Sequence, residues 1–296
     1  MHTGLTRFAW GTLAFNVVVI LMGAVVRATG SGAGCGRSWP TCQGQVLPEL
    51  EGATAIEFAH RGLSGIALLL VGILAVWVWR RVPRPHQARV AAAWSLAAVV
   101  AEALIGAAIV LFEWVADDAS VARAVSVPLH LVNTFVLLAA LAITAHLVSG
   151  GPPLRPSQQP RTRRWLSIGA AGFVVIAASG AVTALADTLF PRDGTVPTAA
   201  EHFLTDLRIV HPIVALVVAV AAGYALIRRG IEGPWVNAIT ILVAIQLFTG
   251  VLVIALDLPL WLRITHLAVA DALWVTYVLA GARLLAEDRT RVEVSR

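Results

Sequence analysis

Lysine is absent from this sequence: all 22 basic residues are arginine, a bias that GC-rich coding produces and that says little about function. Charge of either sign is scarce. Only 13% of the 296 residues are charged, where a soluble domain carries about a quarter. A chain with so few polar groups cannot coat a water-facing globule. Hydrophobic residues make up 58%, and they come in long blocks near the ~20 residues that carry a helix across a bilayer core. An outer-membrane barrel would show short alternating segments instead. The net charge of +5 does not point to nucleic acid, because the arginines sit in short loops between apolar blocks, where they set topology. The first block lacks the cleavage site of a secretory signal and is too long for a signal core, so it reads as a span.

The expected fold class is all-α, with eight transmembrane helices near 8–28, 58–79, 88–112, 125–148, 165–186, 207–228, 234–256 and 264–285. Clusters of proline, glycine and arginine punctuate them. With the N-terminus inside, fifteen arginines fall on the inner side and seven on the outer. That excess marks the inner side as cytoplasmic and places both termini there, in a multi-pass protein of the cell membrane.

The chain looks duplicated. Met22 to Thr29 resembles Ser179 to Ala186; His60 aligns with His211, and His130 with His266. Two pseudo-symmetric four-helix bundles result, residues 1–150 and 160–296. Four spans per unit is an even number, so the repeats run parallel about an axis along the membrane normal.

Eight histidines are present. His2 and His86 read as solvated and His146 as interfacial, while the role of His202, in an outer loop, stays open. His60, His130, His211 and His266 differ. Each begins an even-numbered span, so all four sit at one depth near the outer face. Ionisable residues at membrane depth are rare and usually functional. Zinc sites gather three or four ligands close together, whereas each half here supplies only two histidines, with no HExxH cluster. Two imidazoles from facing helices suit a haem iron. Small residues after them (Gly62, Ser64 and Gly65; Ala268 and Ala270) would admit a flat ring, or could be ordinary interhelical packing.

Glu57 stands one helical turn before His60 and can transfer protons or stabilise positive charge; it can also simply pair with Arg61. The equivalent position in the second half is Arg208, suited to a haem propionate. That asymmetry suggests reactive chemistry at the first pair and a retained cofactor at the second. Glu102 and Asp271 are rare mid-span acids, with uncharged counterparts in Gln246 and Asn133. The two cysteines, Cys35 and Cys42, share the first outer loop, where oxidising conditions allow a disulfide. So short a ring gains little entropy on closure, which leaves redox or local shaping roles open. No CxxCH is present for covalent haem attachment.

On these residues the chain resembles the haem A synthase family: one histidine on each even-numbered helix, Glu57-Phe58-Ala59-His60-Arg61, the first-helix exit from Gly23 to Gly32, and the cysteine pair Cys35 and Cys42. The resemblance implies oxidation of the C8 methyl of haem O to a formyl, with His60 and His130 facing the substrate iron and Glu57 assisting. It implies haem b on His211 and His266, and as partners membrane lipid, a haem O synthase and an electron donor. Two alternatives remain at this stage. A dihaem electron relay would place its haems near opposite faces, and a haem transporter would carry more polar residues at mid-membrane.

Overall fold

The computed structural model describes residues 3–191, 203–229 and 233–286. His2, His202, Arg192, Asp193 and Glu201 lie outside them, as do the last three arginines of the inner count.

Among the described residues the chain is helical and contains no strand. The long helices are α1 (Thr3–Ala28), α2 (Gly52–Arg81), α3 (Gln87–Leu111), α4 (Val121–Val148), α5 (Pro160–Leu189), α7 (Val210–Arg229), α8 (Pro234–Ala255) and α9 (Leu260–Ala286); a short α6 (Phe203–Asp206) leads into α7. Eight helices are long and apolar enough to cross a membrane, as expected. The protein is a multi-pass membrane protein.

The starts of α2, α4, α5 and α9 come four to six residues before the hydropathy pattern places them. Hydropathy sees the apolar core of a span, but the helix continues through polar turns that local partners cap. Ser120 Oγ accepts the Arg123 amide of α4 at 3.2 Å. His86, read as merely solvated, accepts the Ala88 amide at 3.1 Å and caps α3. Pro160 and Pro234 open α5 and α8, where a missing N–H costs nothing. Past the end of α4, Gly150 takes φ +86°, and its amide returns to Leu147 O, a left-handed stop that glycine adopts without a Cβ penalty. His146 is buried at that end, its ring against Gly151.

The core lies where α1, α2, α3 and α4 meet, around Val71, Leu74, Val78, Leu138 and Leu141, all essentially inaccessible. α4 is the central helix, with 67% of its span buried, against 6% for α7 and α8. The outward faces of the spans are apolar: Leu104, Val217, Val220 and Phe248 are more than half exposed, as lipid-facing residues must be. An aromatic cluster ties α4, α5 and α9 together. Trp274 stacks on Phe135 at 5.2 Å and meets Phe173 at 5.3 Å. Its indole N–H donates to Phe135 O at 2.8 Å, and Tyr277 donates to Leu166 O at 2.7 Å. In an apolar surround such donors need a fixed partner, so each bond sets rotation as well as depth.

The loop from Thr29 to Glu51 is seated on the start of α2. Cys35 and Cys42 form a disulfide and both are buried. Gly34 O accepts from Thr54 Oγ1 at 2.8 Å and Gln43 Nε2 at 3.0 Å. Arg61 Nη1 reaches Ser38 O and Thr41 O at 2.5 and 2.6 Å, which ties the stretch between the cysteines to α2. Gly34 has to be glycine: a Cβ there would stand 2.4 Å from the backbone carbon of Ala53. Gly34→Ala is expected to lift the loop and cost about 1–3 kcal/mol, read as a lower unfolding temperature in detergent. Gly62→Ala, where a Cβ meets nothing within 4 Å, is expected to leave it unchanged.

Candidate haem site

All four histidines at the helix entrances line one cavity of about 2560 Å³. Ordinary small-molecule pockets hold roughly 300–1,000 Å³, so this one has room for two large ligands. The surface is mostly apolar, and His60, His130, His211 and His266 are among the polar groups on it. Helix start positions place them: His60 is on α2, His130 on α4, His211 on the first turn of α7 and His266 on α9.

Three of the four rings rest on a glycine of a neighbouring helix. A Cβ at Gly23 of α1 would lie 3.0 Å from His60 Cε1, one at Gly180 of α5 would lie 3.0 Å from His211 Cε1, and one at Gly250 of α8 would lie 3.1 Å from His266 Cε1. The glycines that receive the rings are therefore on the facing helices. Gly62 and Gly65, which follow His60 on its own helix, face open space; Gly65 and Ser64 line the cavity. Gly23 and Gly180 are the equivalent positions of the repeated stretch, and each supports the equivalent histidine.

The ring nitrogens have different surroundings. His211 Nδ1 lies 3.2 Å from Ile176 O and 3.3 Å from Ser179 Oγ. Donation to that carbonyl fixes the tautomer and leaves Nε2 as a lone-pair donor, the usual state of a metal-ligating histidine. His266 has Thr249 Oγ1 3.0 Å from Nδ1 and the Gln246 amide 3.1 Å from Nε2, so ligation there requires Gln246 to release Nε2. His60 Nδ1 is buried with no hydrogen-bond partner among the described residues. His130 Nδ1 lies in ion-pair contact with Glu102 Oε2.

The His211 and His266 rings are 6.4 Å apart, centre to centre, and perpendicular. Two imidazoles on opposite sides of one metal need about 2 Å per metal–nitrogen bond and roughly 1 Å more to each ring centre, so the spacing suits a shared ion. No cluster of three or more His, Cys, Asp or Glu that could hold a bare metal occurs among the described residues. Paired imidazoles in a large apolar cavity fit a metal that brings its own equatorial ligands, as haem does.

Arginines line the cavity at the histidine end, Arg27, Arg61, Arg123, Arg208 and Arg263, and others line it elsewhere, Arg161, Arg164 and Arg283. Arg208, the counterpart of Glu57, pairs with Asp187 at 2.9 Å and donates to Ala186 O at 2.8 Å and to Phe190 O. Arg263 donates to Thr188 Oγ1 at 3.1 Å. One buried nitrogen of Arg27, Nη1, has no hydrogen-bond partner among the described residues. Such a set of arginines attracts carboxylates.

Glu57 is 3% exposed. Its Oε2 accepts the Cys35 amide at 2.7 Å, and its Oε1 accepts from Arg61 Nε and Nη2 at 3.1 and 2.5 Å. The pairing with Arg61 is thus present, and the acid also bonds the disulfide loop while lining the cavity. In the sequence Glu102 and Gln246 stand out only as uncommon mid-span polar residues; both prove to touch a candidate ligand. Their spacing from His130 and His266 gave no signal, because the contacts cross between helices. Asp271 is wholly buried, with neither carboxylate oxygen hydrogen-bonded among the described residues.

A family model of cytochrome oxidase assembly proteins matches residues 6–55 and 49–278. A Thermus thermophilus protein described as protoheme IX farnesyltransferase is 44% identical over 308 residues, covering 98% of this chain and 50% of its own length. The chain thus spans about half the length of that relative. A haem A synthase of Geobacillus kaustophilus is 29% identical over 279 residues, 90% of this chain and 87% of its own. A haem A synthase of Shouchella clausii is 42% identical over 113 residues, 38% of each. The family match runs through every helix that carries one of the four histidines, and the chain belongs to the cytochrome oxidase assembly family of haem A synthases.

Proposed function

We propose that the protein oxidises the C8 methyl of haem O to a formyl group, giving haem A for cytochrome oxidase. The observation that carries this reading is the convergence of four histidines, two from each repeated half, on one apolar cavity. Each of two successive hydroxylations of the methyl would take one oxygen atom from dioxygen, the other leaving as water with two protons and two electrons from the donor; the resulting geminal diol loses water to leave the aldehyde, a four-electron oxidation of the methyl overall.

The two halves, residues 1–150 and 160–296, would divide the work. His60 and His130 would hold the iron of the substrate, haem O, while His211 and His266 would hold haem b. When bound, haem b supplies one-electron redox chemistry. The chain's own residues bind, orient and shield. Donation to Ile176 O holds His211 in the ligating tautomer. The arginines at the histidine end, Arg208 among them, would meet propionates. Glu57 would keep a negative charge beside the substrate, fixed by Arg61 and the Cys35 amide, where it can stabilise positive charge developing during oxidation. The disulfide then serves to shape the loop that holds Glu57.

Arginine bias puts the histidine ends at the outer face of the cell membrane and both chain termini in the cytoplasm. All four histidines at one side also speak against a relay across the membrane. The Thermus relative bears the name of an enzyme that farnesylates protohaem, the reaction class that supplies haem O. A haem O synthase is accordingly the partner proposed, together with membrane lipid and an electron donor.

The test is expression in a host that makes haem O but no haem A, followed by haem extraction and mass spectrometry. Haem A or its hydroxylated precursor is expected; bound haem b beside unmodified haem O, with electrons supplied, would overturn the reading. In the same host, His60→Ala and Glu57→Ala should lower product by about 10²-fold or more while the haem b absorbance persists. Loss of all haem b with either change would contradict the division between halves. Gly180→Ala, which drives a methyl against His211, should instead deplete haem b.

A further inference from the structure

The two histidine pairs differ by one buried charge. On α3, Glu102 places Oε2 against His130 Nδ1. Its Oε1 accepts from Asn133 Nδ2 at 2.9 Å and Thr134 Oγ1 at 2.9 Å. Both carboxylate oxygens are thereby fixed, and the Glu102 side chain is only 15% exposed. On α8 the corresponding residue is Gln246, whose amide approaches His266 at 3.1 Å. Glu102 and Gln246 stand at the same place in their helices, each four residues before a glycine, Gly106 and Gly250. Gly250 abuts the His266 ring, whereas a Cβ at Gly106 would meet nothing within 4 Å. His130 thus has a carboxylate at Nδ1, where His266 has the neutral hydroxyl of Thr249.

We propose that Glu102 is a positioning residue for His130, which anchors the ring through Nδ1 and makes its Nε2 a more electron-rich ligand than that of His266. Nδ1 is buried and makes no regular hydrogen bond among the described residues, so its close contact is with the Glu102 carboxylate alone. A carboxylate behind a ligating imidazole raises the basicity of the ligand, and hydrogen bonding around a haem ligand is one of the protein's levers on iron potential. The iron held by His60 and His130 therefore has the lower reduction potential of the two, with its oxidised state favoured. This inference rests on the reading of the four histidines as haem ligands.

Glu102→Gln removes the charge but keeps an oxygen that Asn133 and Thr134 can donate to, so packing and neutral hydrogen bonds survive. The full chain, purified in detergent and loaded with iron protoporphyrin at both pairs, is titrated potentiometrically by its haem absorbance. The expected result is two components in the parent protein. The lower one moves upward in Glu102→Gln and is restored towards its parent value in Glu102→Asp, while the upper one stays in place. Unchanged midpoints in Glu102→Gln, with haem content intact, would overturn the role of Glu102 alone. His130→Ala separates the two levels. If one haem component is lost or altered, the ligand reading holds and the Glu102 result stands by itself; if both components stay as in the parent, the ligand reading falls and this inference falls with it.

Discussion

An imidazole inside a bilayer has two ring nitrogens and no water to satisfy them. Leaving one bare costs free energy, so every buried histidine must find a donor, an acceptor or a metal for each. The rest of this structure follows from that constraint. The four cavity histidines meet it in four ways: a backbone carbonyl for His211, a hydroxyl and an amide for His266, a carboxylate for His130, and no protein partner at Nδ1 for His60 among the described residues. The carbonyl at His211 fixes a tautomer, the carboxylate sets the surroundings of His130, and His60 Nδ1 is left buried without a hydrogen bond among the described residues.

Satisfying the rings also dictates the packing around them. A planar ring held between helices needs close approach, which Gly23, Gly180 and Gly250 permit. Those contacts bring α1 to α2, α5 to α7 and α8 to α9 at the level of the histidines that line the cavity. The aromatic contacts of Trp274 and Tyr277 hold α9 to α4 and α5 at another level. Apolar surface cannot set helix rotation in lipid, because lipid tails are as apolar as the side chains; a few polar contacts and glycines set it instead.

The fold was largely legible in the sequence. Eight apolar blocks gave eight helices, since a bilayer forces the backbone to satisfy itself and the required length is visible in hydropathy. Helix ends were less legible, because caps such as His86 and Ser120 work outside the apolar block. The site was legible in part: the repeat brought out Gly23 and Gly180 as equivalent without revealing that each receives an imidazole. Glu102 and Gln246 could be seen as uncommon, but their partners could not. A contact within a helix leaves a three- or four-residue spacing, whereas one between helices depends on loop lengths, and the loops of the two halves differ.

Those unequal loops bear on how two similar halves come to differ. The paired histidines occupy equivalent positions, as do Gly23 and Gly180, while Gly106 does not support His130 as Gly250 supports His266; the other differences are Glu57 against Arg208, Glu102 against Gln246, and a disulfide loop that bonds Glu57 over the first pair. Glu57 is paired with Arg61 and Arg208 with Asp187, so these positions exchange the acid and the base of an ion pair. Glu102, whose partners are His130, Asn133 and Thr134, adds an acid to the first pair where the second has the amide of Gln246. Retaining the scaffold and changing the polar groups around it is the least disruptive route by which two similar halves come to differ. The burial that makes those groups costly in the membrane is also what strengthens the interactions of each.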